Sequence, residues 1–252
     1  MTSSITLSCP EGIVLAADRR CTILLGDGAV KFKENIDKIF PSKKIQAGYS
    51  CWGQASIDGV DIEDHLEKFE AENVVKTDDV NTVAGKLWKH LESLQKIDDL
   101  SMGIHVAGYC KDKESLYPQI RHVFHEKWYG RGKFTNENSN EEYHLPDGQK
   151  KQYKYDPFIA LYNGERAVAN AYFDLLPKIY PNKARIILDL LSLDQCIRLA
   201  RQIIITNGEL LDFVHTLDQK KPIQSVHGIA IAKITKEKGF EWVERSYVEK
   251  EH

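Results

Sequence analysis

Long apolar runs, paired cysteines and an excess of charge of one sign are all absent from this sequence of 252 residues. No stretch approaches the roughly eighteen consecutive apolar residues of a membrane-spanning helix, so we expect no membrane segment. The formal net charge is only −3, which gives no support for nucleic-acid binding as the main task. The five cysteines are odd in number and scattered, which predicts reduced, buried thiols and a cytoplasmic location rather than a disulfide framework.

The chain also lacks internal repeats and low-complexity tracts, and its composition is that of a globular protein. Apolar residues make up 42% of it, which is enough for one large hydrophobic core. The segment at about 130–154 is rich in Gly, Asn and Glu, a composition typical of a long surface excursion. We therefore expect a single domain over residues 1–252, with this polar excursion as an addition.

The most informative stretch is the first forty residues of the chain. Apolar and polar residues alternate over residues 5–9, Pro-Glu-Gly follows, and residues 13–17 are continuously apolar, which together predict a β-hairpin. The hairpin returns Asp18 towards the start of its first strand, beside Thr2. Only Met1 precedes Thr2, and a methionine before a small residue is normally removed in cells, so we expect Thr2 to carry a free α-amine.

An N-terminal threonine beside an acid and a lysine has the groups that nucleophilic catalysis needs. A threonine hydroxyl is a weak nucleophile until a base takes its proton, and an α-amine with a pKa of about 7.7–8.0 can be that base. A nearby cation favours the neutral amine, and a carboxylate holds that cation in place. Asp18 and Lys38 are the candidates for these two roles, whereas we expect Lys31 and Lys33 to be loop residues open to solvent.

Three segments of the sequence resemble the catalytic β subunits of the proteasome, which are N-terminal nucleophile hydrolases. The family pattern is an N-terminal Thr, an Asp sixteen residues later in the context Gly-apolar-Ala-Ala-Asp-x-Arg, and a Lys before an apolar pair. Thr2 and Asp18 have that spacing, and Lys38 fits with a short insertion within residues 26–35. The matching segments are Thr-Ser-Ser-Ile (2–5), Gly-Ile-Val-Leu-Ala-Ala-Asp-Arg-Arg (12–20) and Lys-Ile-Phe (38–40).

The resemblance implies an α+β fold, a four-layer αββα sandwich. The order of predicted elements is compatible with it: strands, two helices, strands, two helices, strands. Two sheets packed face to face with helices outside would bury the apolar stripes, although periodicity alone does not establish the layering. The helices are predicted over residues 53–69, from residue 80 to about 94, over 167–176, and from a capping box at Ser192 to about Ile205.

The resemblance also implies an activity, a threonine protease that cleaves peptide bonds. Thr2 is then the nucleophile, Lys38 tunes its amine and Asp18 holds Lys38. A backbone N–H near Gly53 supplies the oxyanion donor, and Trp52 either lines a substrate pocket or is a plain core tryptophan. No metal or organic cofactor is needed, and a ring-like homo-oligomer acting on peptide or protein substrates is expected. The sequence leaves open whether an ATPase partner feeds those substrates.

Two departures from the family pattern keep other functions open. Glu165 stands where the family has a serine, and Pro222 stands where it has an aspartate. Ser225 matches the second half of the latter segment, and Asp212 or Asp218 could replace the missing acid. The alternatives are a non-catalytic subunit of the same fold that serves assembly or binding, and a hydrolase of non-peptide amides.

A metal site is not expected at His122 and His125. Residues three apart on a strand face opposite sides, and no cysteine or carboxylate pattern completes a zinc set. A packing or surface role is the simpler interpretation of both histidines.

Overall fold

The computed structural model describes residues 3–24, 30–94, 102–112, 115–125, 134–138, 159–164, 167–181, 183–217 and 228–246. The strands in this part of the chain are β1 (Ser3–Cys9), β2 (Gly12–Asp18), β3 (Cys21–Leu24), β4 (Val30–Lys33), β5 (Ile39–Pro41), β6 (Ala47–Gly53), β7 (Ser56–Ile57), β8 (Val60–Asp61), β9 (Met102–Asp112), β10 (Ser115–His125), β11 (Phe134–Asn138), β12 (Ile159–Gly164), β13 (Ile229–Thr235) and β14 (Gly239–Arg245). The helices are α1 (Ile62–Asn73), α2 (Val80–Leu94), α3 (Ala167–Ile179), α4 (Ala184–Asp189) and α5 (Leu193–Leu217).

Two five-stranded antiparallel sheets contain most of the strands. The first sheet has the order β12-β1-β2-β13-β14 and the second has the order β11-β10-β9-β6-β5. One apolar cluster joins α3 and α5 to the first sheet, and another joins α1 and α2 to the second sheet. A third cluster joins residues of both sheets. Strand β1, the first strand of the N-terminal hairpin, is buried along its whole length.

The sequence-based assignment of a four-layer αββα sandwich is corrected to the coarser α+β class. Among the described residues there are five helices rather than four, and two two-stranded ribbons, β3–β4 and β7–β8, lie outside the two large sheets. Apolar periodicity determines which face of an element is buried, but it does not determine how the elements are layered. The apolar pattern of the sequence therefore does not establish a four-layer sandwich.

Two loop and helix predictions near the N-terminus were wrong. Residues 21–37 include the ribbon β3–β4 rather than loop alone, so Lys31 and Lys33 lie on a strand. The predicted helix from Gly53 begins only at Ile62, because β7 and β8 precede it. Asp58 and Gly59 both have positive φ, 51° and 79°, as a type I′ hairpin turn requires. Asp-Gly is a strong signal for that turn, so the sequence contained the information.

The capping box predicted at the start of α5 is confirmed, and α2 has an N-cap as well. The Thr82 N–H donates to the Asp79 carboxylate (2.8 Å) at the start of α2. At α5 the Ser192 N–H donates to Gln195 Oε1 (2.8 Å) and the Gln195 N–H donates to Ser192 Oγ (3.3 Å), which is a complete capping box. Helix α5, however, runs to Leu217 and not to about Ile205.

Of the predicted excursion at about 130–154, the described residues include only β11, which pairs with β10 at the edge of the second sheet. The excursion and the single-domain boundary over residues 1–252 therefore stay predictions. Within the described residues, none of the helices has the length and hydropathy needed to cross a membrane.

Candidate functional site

The N-terminal hairpin brings Asp18 to the start of β1. Ser4 pairs with Ala17 in the hairpin register, so Asp18 lies opposite Ser3. The Ser3 backbone N–H donates to Asp18 Oδ1 at 2.6 Å. That N–H belongs to the peptide bond that joins Ser3 to Thr2. Thr2 itself lies outside the described residues.

The same carboxylate binds the ammonium of Lys38. Lys38 Nζ lies 2.7 Å from Asp18 Oδ2, and both side chains are only 7% exposed. Asp18 Oδ2 also accepts the Arg20 backbone N–H at 3.1 Å, and Lys38 Nζ donates to the Arg20 carbonyl at 2.5 Å. A buried ion pair is tolerated when further hydrogen bonds satisfy both partners, and each of these two groups has them.

The strands around Lys38 explain why this lysine reaches the site. Lys38 directly precedes β5, and its carbonyl accepts the Cys51 N–H of β6 at 2.7 Å, which fixes its backbone beside the second sheet. Lys33 is exposed on β4 instead, and the side chain of Lys31 lies outside the described part of the chain. Neither neighbouring arginine takes the place of Lys38 at Asp18, since Arg19 pairs with Asp37 (2.8 Å) and Arg20 pairs with Glu34 (2.5 Å).

Polar side chains line the interior behind the site. The hydroxyls of Ser4 and Ser50 lie 2.8 Å apart and connect β1 to β6. His105 Nδ1 lies 2.9 Å from the Thr6 hydroxyl, and its Nε2 lies 2.7 Å from Asn163 Oδ1. Because an amide oxygen can only accept, Nε2 carries the hydrogen, and Nδ1 accepts from the Thr6 hydroxyl. Burial lowers the pKa of His105 to about 4, against the opposing effect of the bond to Asn163, so the ring is neutral.

Acidification is expected to destabilise the fold through His105. Its pKa of about 4 lies below the ordinary 6.5, so the unfolded chain binds the proton more tightly than the folded one. The free energy of unfolding should therefore fall as the pH falls from about 6.5 towards 4, by about 2 kcal/mol between pH 7.5 and pH 5. Chemical denaturation at both pH values measures this, with His105→Gln as the variant that lacks the titrating ring. Equal pH dependence in the two proteins would contradict the assignment.

Trp52 and Gly53 occupy the end of β6, the strand that contacts both Lys38 and Ser4. Trp52 is 7% exposed, and its indole N–H donates to His122 Nε2 at 3.0 Å. A Cβ added at Gly103 would lie 2.6 Å from the indole, so that ring fills the space above this glycine. These contacts favour the core role that the sequence left open for Trp52. Gly53 is exposed, with a φ of 84° that suits glycine, two residues beyond Cys51.

The supporting acids predicted from the sequence are not joined to this cluster in the described residues. Asp212 lies on α5 and is not among the groups that contact Asp18 or Lys38. Asp218, Ser225 and the two departures at Glu165 and Pro222 lie outside the described residues. The roles suggested for Asp212, Asp218 and Ser225 stay predictions.

One polar residue at the site was missed from the sequence. Asn-Gly at residues 207–208 is locally a turn signal, but Asn207 lies inside α5, is 1% exposed, and donates from Nδ2 to Ser3 Oγ at 2.6 Å. The signal was present, because Asn207 continues the spacing of the buried residues Cys196, Ala200, Ile203 and Ile204. Gly208 made a helix at this position less evident, since glycine destabilises a helix by about 1 kcal/mol relative to alanine.

No group of three or more His, Cys, Asp and Glu side chains suited to a metal ion occurs within the described residues. His122 accepts the indole N–H of Trp52, and its ring stacks on Phe124 with centroids 4.4 Å apart.

Comparison with known proteins gives structural matches alone. No protein-family model matches the chain, and no curated protein matches it significantly. The Gly-1 mutant of Anbu from Hyphomicrobium sp. strain MC1 matches at 12% identity and a TM-score of 0.53, over 100% of this chain and 88% of that chain. Anbu from the same strain matches at 10% identity and a TM-score of 0.54, over 99% of this chain and 88% of that chain. Anbu from Yersinia bercovieri, described as an ancestral β-subunit, matches at 10% identity and a TM-score of 0.53, over 97% of this chain and 88% of that chain.

These matches correct the resemblance drawn from the sequence. The three structures named above are Anbu proteins, none of which is described as a catalytic β subunit of the proteasome, and the likeness is distant. At 10% to 12% identity it shows a related fold and nothing about chemistry. A TM-score of 0.53 also does not carry the four-layer sandwich assignment. The N-terminal motif could not separate these groups, because it covers only three short segments.

Proposed function

We propose that this chain is a hydrolase of amide bonds, with peptides as its substrates and Thr2 as its nucleophile once Met1 has been removed. The observation that supports the proposal most is the buried Asp18 carboxylate, which binds the Ser3 N–H through one oxygen and the Lys38 ammonium through the other. Covalent geometry keeps the residue bonded to Ser3 within one peptide unit of this ion pair. In the proposal this ion pair supplies the charge that tunes the N-terminal amine.

In the proposed reaction the α-amine of Thr2 is the base. A positive charge at about 4 Å contributes roughly 4 kcal/mol at an effective dielectric of 20, and even a fraction of that favours the neutral amine. The amine takes the proton of the Thr2 hydroxyl as its oxygen attacks the substrate carbonyl, and then delivers that proton to the leaving amine. A water molecule hydrolyses the resulting ester and releases the acid. Lys38 and Asp18 exchange no proton with the substrate in this scheme.

The negative oxygen of the tetrahedral intermediate needs a hydrogen-bond donor, and the backbone N–H of Gly53 is the proposed one. Gly53 lies at the exposed end of β6, two residues beyond Cys51, whose N–H donates to the Lys38 carbonyl. Removal of one such donor in other hydrolases costs about 10²–10³-fold in kcat.

A fluorogenic peptide panel tests the proposed function on protein whose N-terminal residue has been identified by mass. Hydrolysis by protein that begins at Thr2, and none by protein that retains Met1, supports it. Hydrolysis of simple amides without peptide cleavage would replace peptides by another substrate class. If protein that begins at Thr2 hydrolyses neither, the chain is a non-catalytic subunit of this fold.

The chain is also expected to form a ring-like homo-oligomer. Closed symmetry is common among soluble homo-oligomers, and one of the similar Anbu proteins is described as a β-subunit, a name that refers to assembly. Light scattering coupled to size exclusion at micromolar concentration measures the mass. A mass equal to one chain would contradict this expectation without touching the proposed chemistry. An ATPase partner is not assigned.

A further inference from the structure

Helix α5 carries a buried amide where its apolar stripe would otherwise have a hydrocarbon side chain. Cys196, Ala200, Ile203 and Ile204 are buried at spacings of three and four residues against the first sheet, and Asn207 comes next. Burying a polar side chain is costly unless it is hydrogen-bonded. The contacts of Asn207 therefore explain why an amide stands at this position.

One hydrogen bond of Asn207 goes to the first described residue of the chain. Asn207 Nδ2 donates to Ser3 Oγ at 2.6 Å, and Ser3 is itself 5% exposed. The backbone N–H of the same serine donates to Asp18 at 2.6 Å. Ser3 is thus held through its main chain by the ion pair and through its side chain by α5.

We propose that Asn207 is a positioning residue for the N-terminal nucleophile, an inference that rests on the proposed function. Holding both the backbone and the side chain of Ser3 fixes the orientation of the peptide unit that joins it to Thr2. A bond from a helix interior is suited to this, because α5 packs against both β1 and β2. Asn207 acts through Ser3 and does not need to touch the substrate.

The contribution of Asn207 follows from how sensitive such reactions are to alignment. Misplacement of a reacting group by about 1 Å can cost about 10²-fold in rate. We therefore expect loss of the Asn207–Ser3 bond to slow the reaction of Thr2 by about 10- to 10²-fold. Because no charge is removed, the pH at which reactivity is half-maximal should stay at its wild-type value, unlike the effect of removing Lys38.

The experiment measures the rate constant of covalent labelling of full-length protein by a β-lactone, followed by intact mass. Asn207→Leu restores the apolar stripe and removes the donor, so its thermal stability should equal or exceed the wild-type value while labelling slows. Ser3→Ala removes the other partner and should slow labelling to a similar extent. The double variant should be no slower than either single variant, because both delete the same bond. Ile203→Leu, one turn earlier on the same face, is the matched control and should label at the wild-type rate.

The possible results distinguish a failure of the positioning role of Asn207 from a failure of the proposed hydrolase function. A labelled wild type with an equally reactive Asn207→Leu overturns the positioning role and leaves the hydrolase intact. Rates that multiply in the double variant, or a labelling loss that follows a loss of thermal stability, also overturn it. If wild-type protein that begins at Thr2 takes no label, the proposed function is wrong and the positioning role is wrong with it.

Discussion

Replacing Thr2 by alanine is expected to abolish hydrolysis, with a loss of about 10³-fold or more, while fold and assembly are unchanged. Alanine keeps the α-amine but has no hydroxyl, and loss of the nucleophile is among the most damaging changes in comparable hydrolases. The fluorogenic peptide assay measures the loss, with circular dichroism and light scattering on the same sample. Thr2→Ser, which keeps both groups, should retain part of the activity. An otherwise native Thr2→Ala protein with wild-type turnover would mean that another nucleophile is responsible.

Replacing Lys38 by alanine is expected to cost about 10²-fold or more in turnover, the usual scale for losing acid–base support. Removing this cation should also raise the pKa of the Thr2 amine, so the rising limb of the pH–rate profile should move to higher pH. Turnover per folded protein has to be measured, because breaking a buried ion pair leaves the Asp18 carboxylate without its cation and can cost about 3–5 kcal/mol of stability.

Lys33→Ala is the matched control for Lys38→Ala. Lys33 lies on β4, in the segment where the family pattern would equally allow a lysine, but its side chain is exposed. Its removal should change turnover little. A large loss of turnover in Lys33→Ala, together with almost none in Lys38→Ala, would contradict the assignment. The insertion relative to the family pattern would then have been placed wrongly, and the ion pair between Lys38 and Asp18 would not support catalysis.

How much of the site the sequence could predict depends on how local the signal was. The hairpin that aligns Asp18 with the start of β1 follows from alternation, a turn and a buried apolar run, all within twenty residues. The sequence distinguished Lys38 from the other nearby lysines because Lys38 directly precedes a predicted strand. A strand beside the hairpin brings its side chain to Asp18. The structure places Asp18 and Lys38 together, 2.7 Å apart, although their catalytic roles stay predictions.

The sequence could not predict features in which packing against distant residues overrides a local signal. Asn-Gly at residues 207–208 is locally a turn signal, but the packing of the apolar face of α5 against the first sheet carries the helix through it. Trp52 lies in the last part of β6 near the site, and its partners His122 and Gly103, distant in sequence, reveal that it packs inside. The layering of the sheets and the relation to Anbu proteins depend on the whole chain and leave no short motif.

The most direct test of the central claim is localisation of a covalent label on the mature chain. Wild-type protein is treated with a β-lactone, its intact mass is recorded, and fragmentation identifies the modified atom group. The account predicts a chain without Met1 that carries one label, on the hydroxyl of Thr2, with no label on Thr2→Ala. A chain that begins at Thr2 yet stays unlabelled, or a label on any other residue that persists in Thr2→Ala, would contradict it.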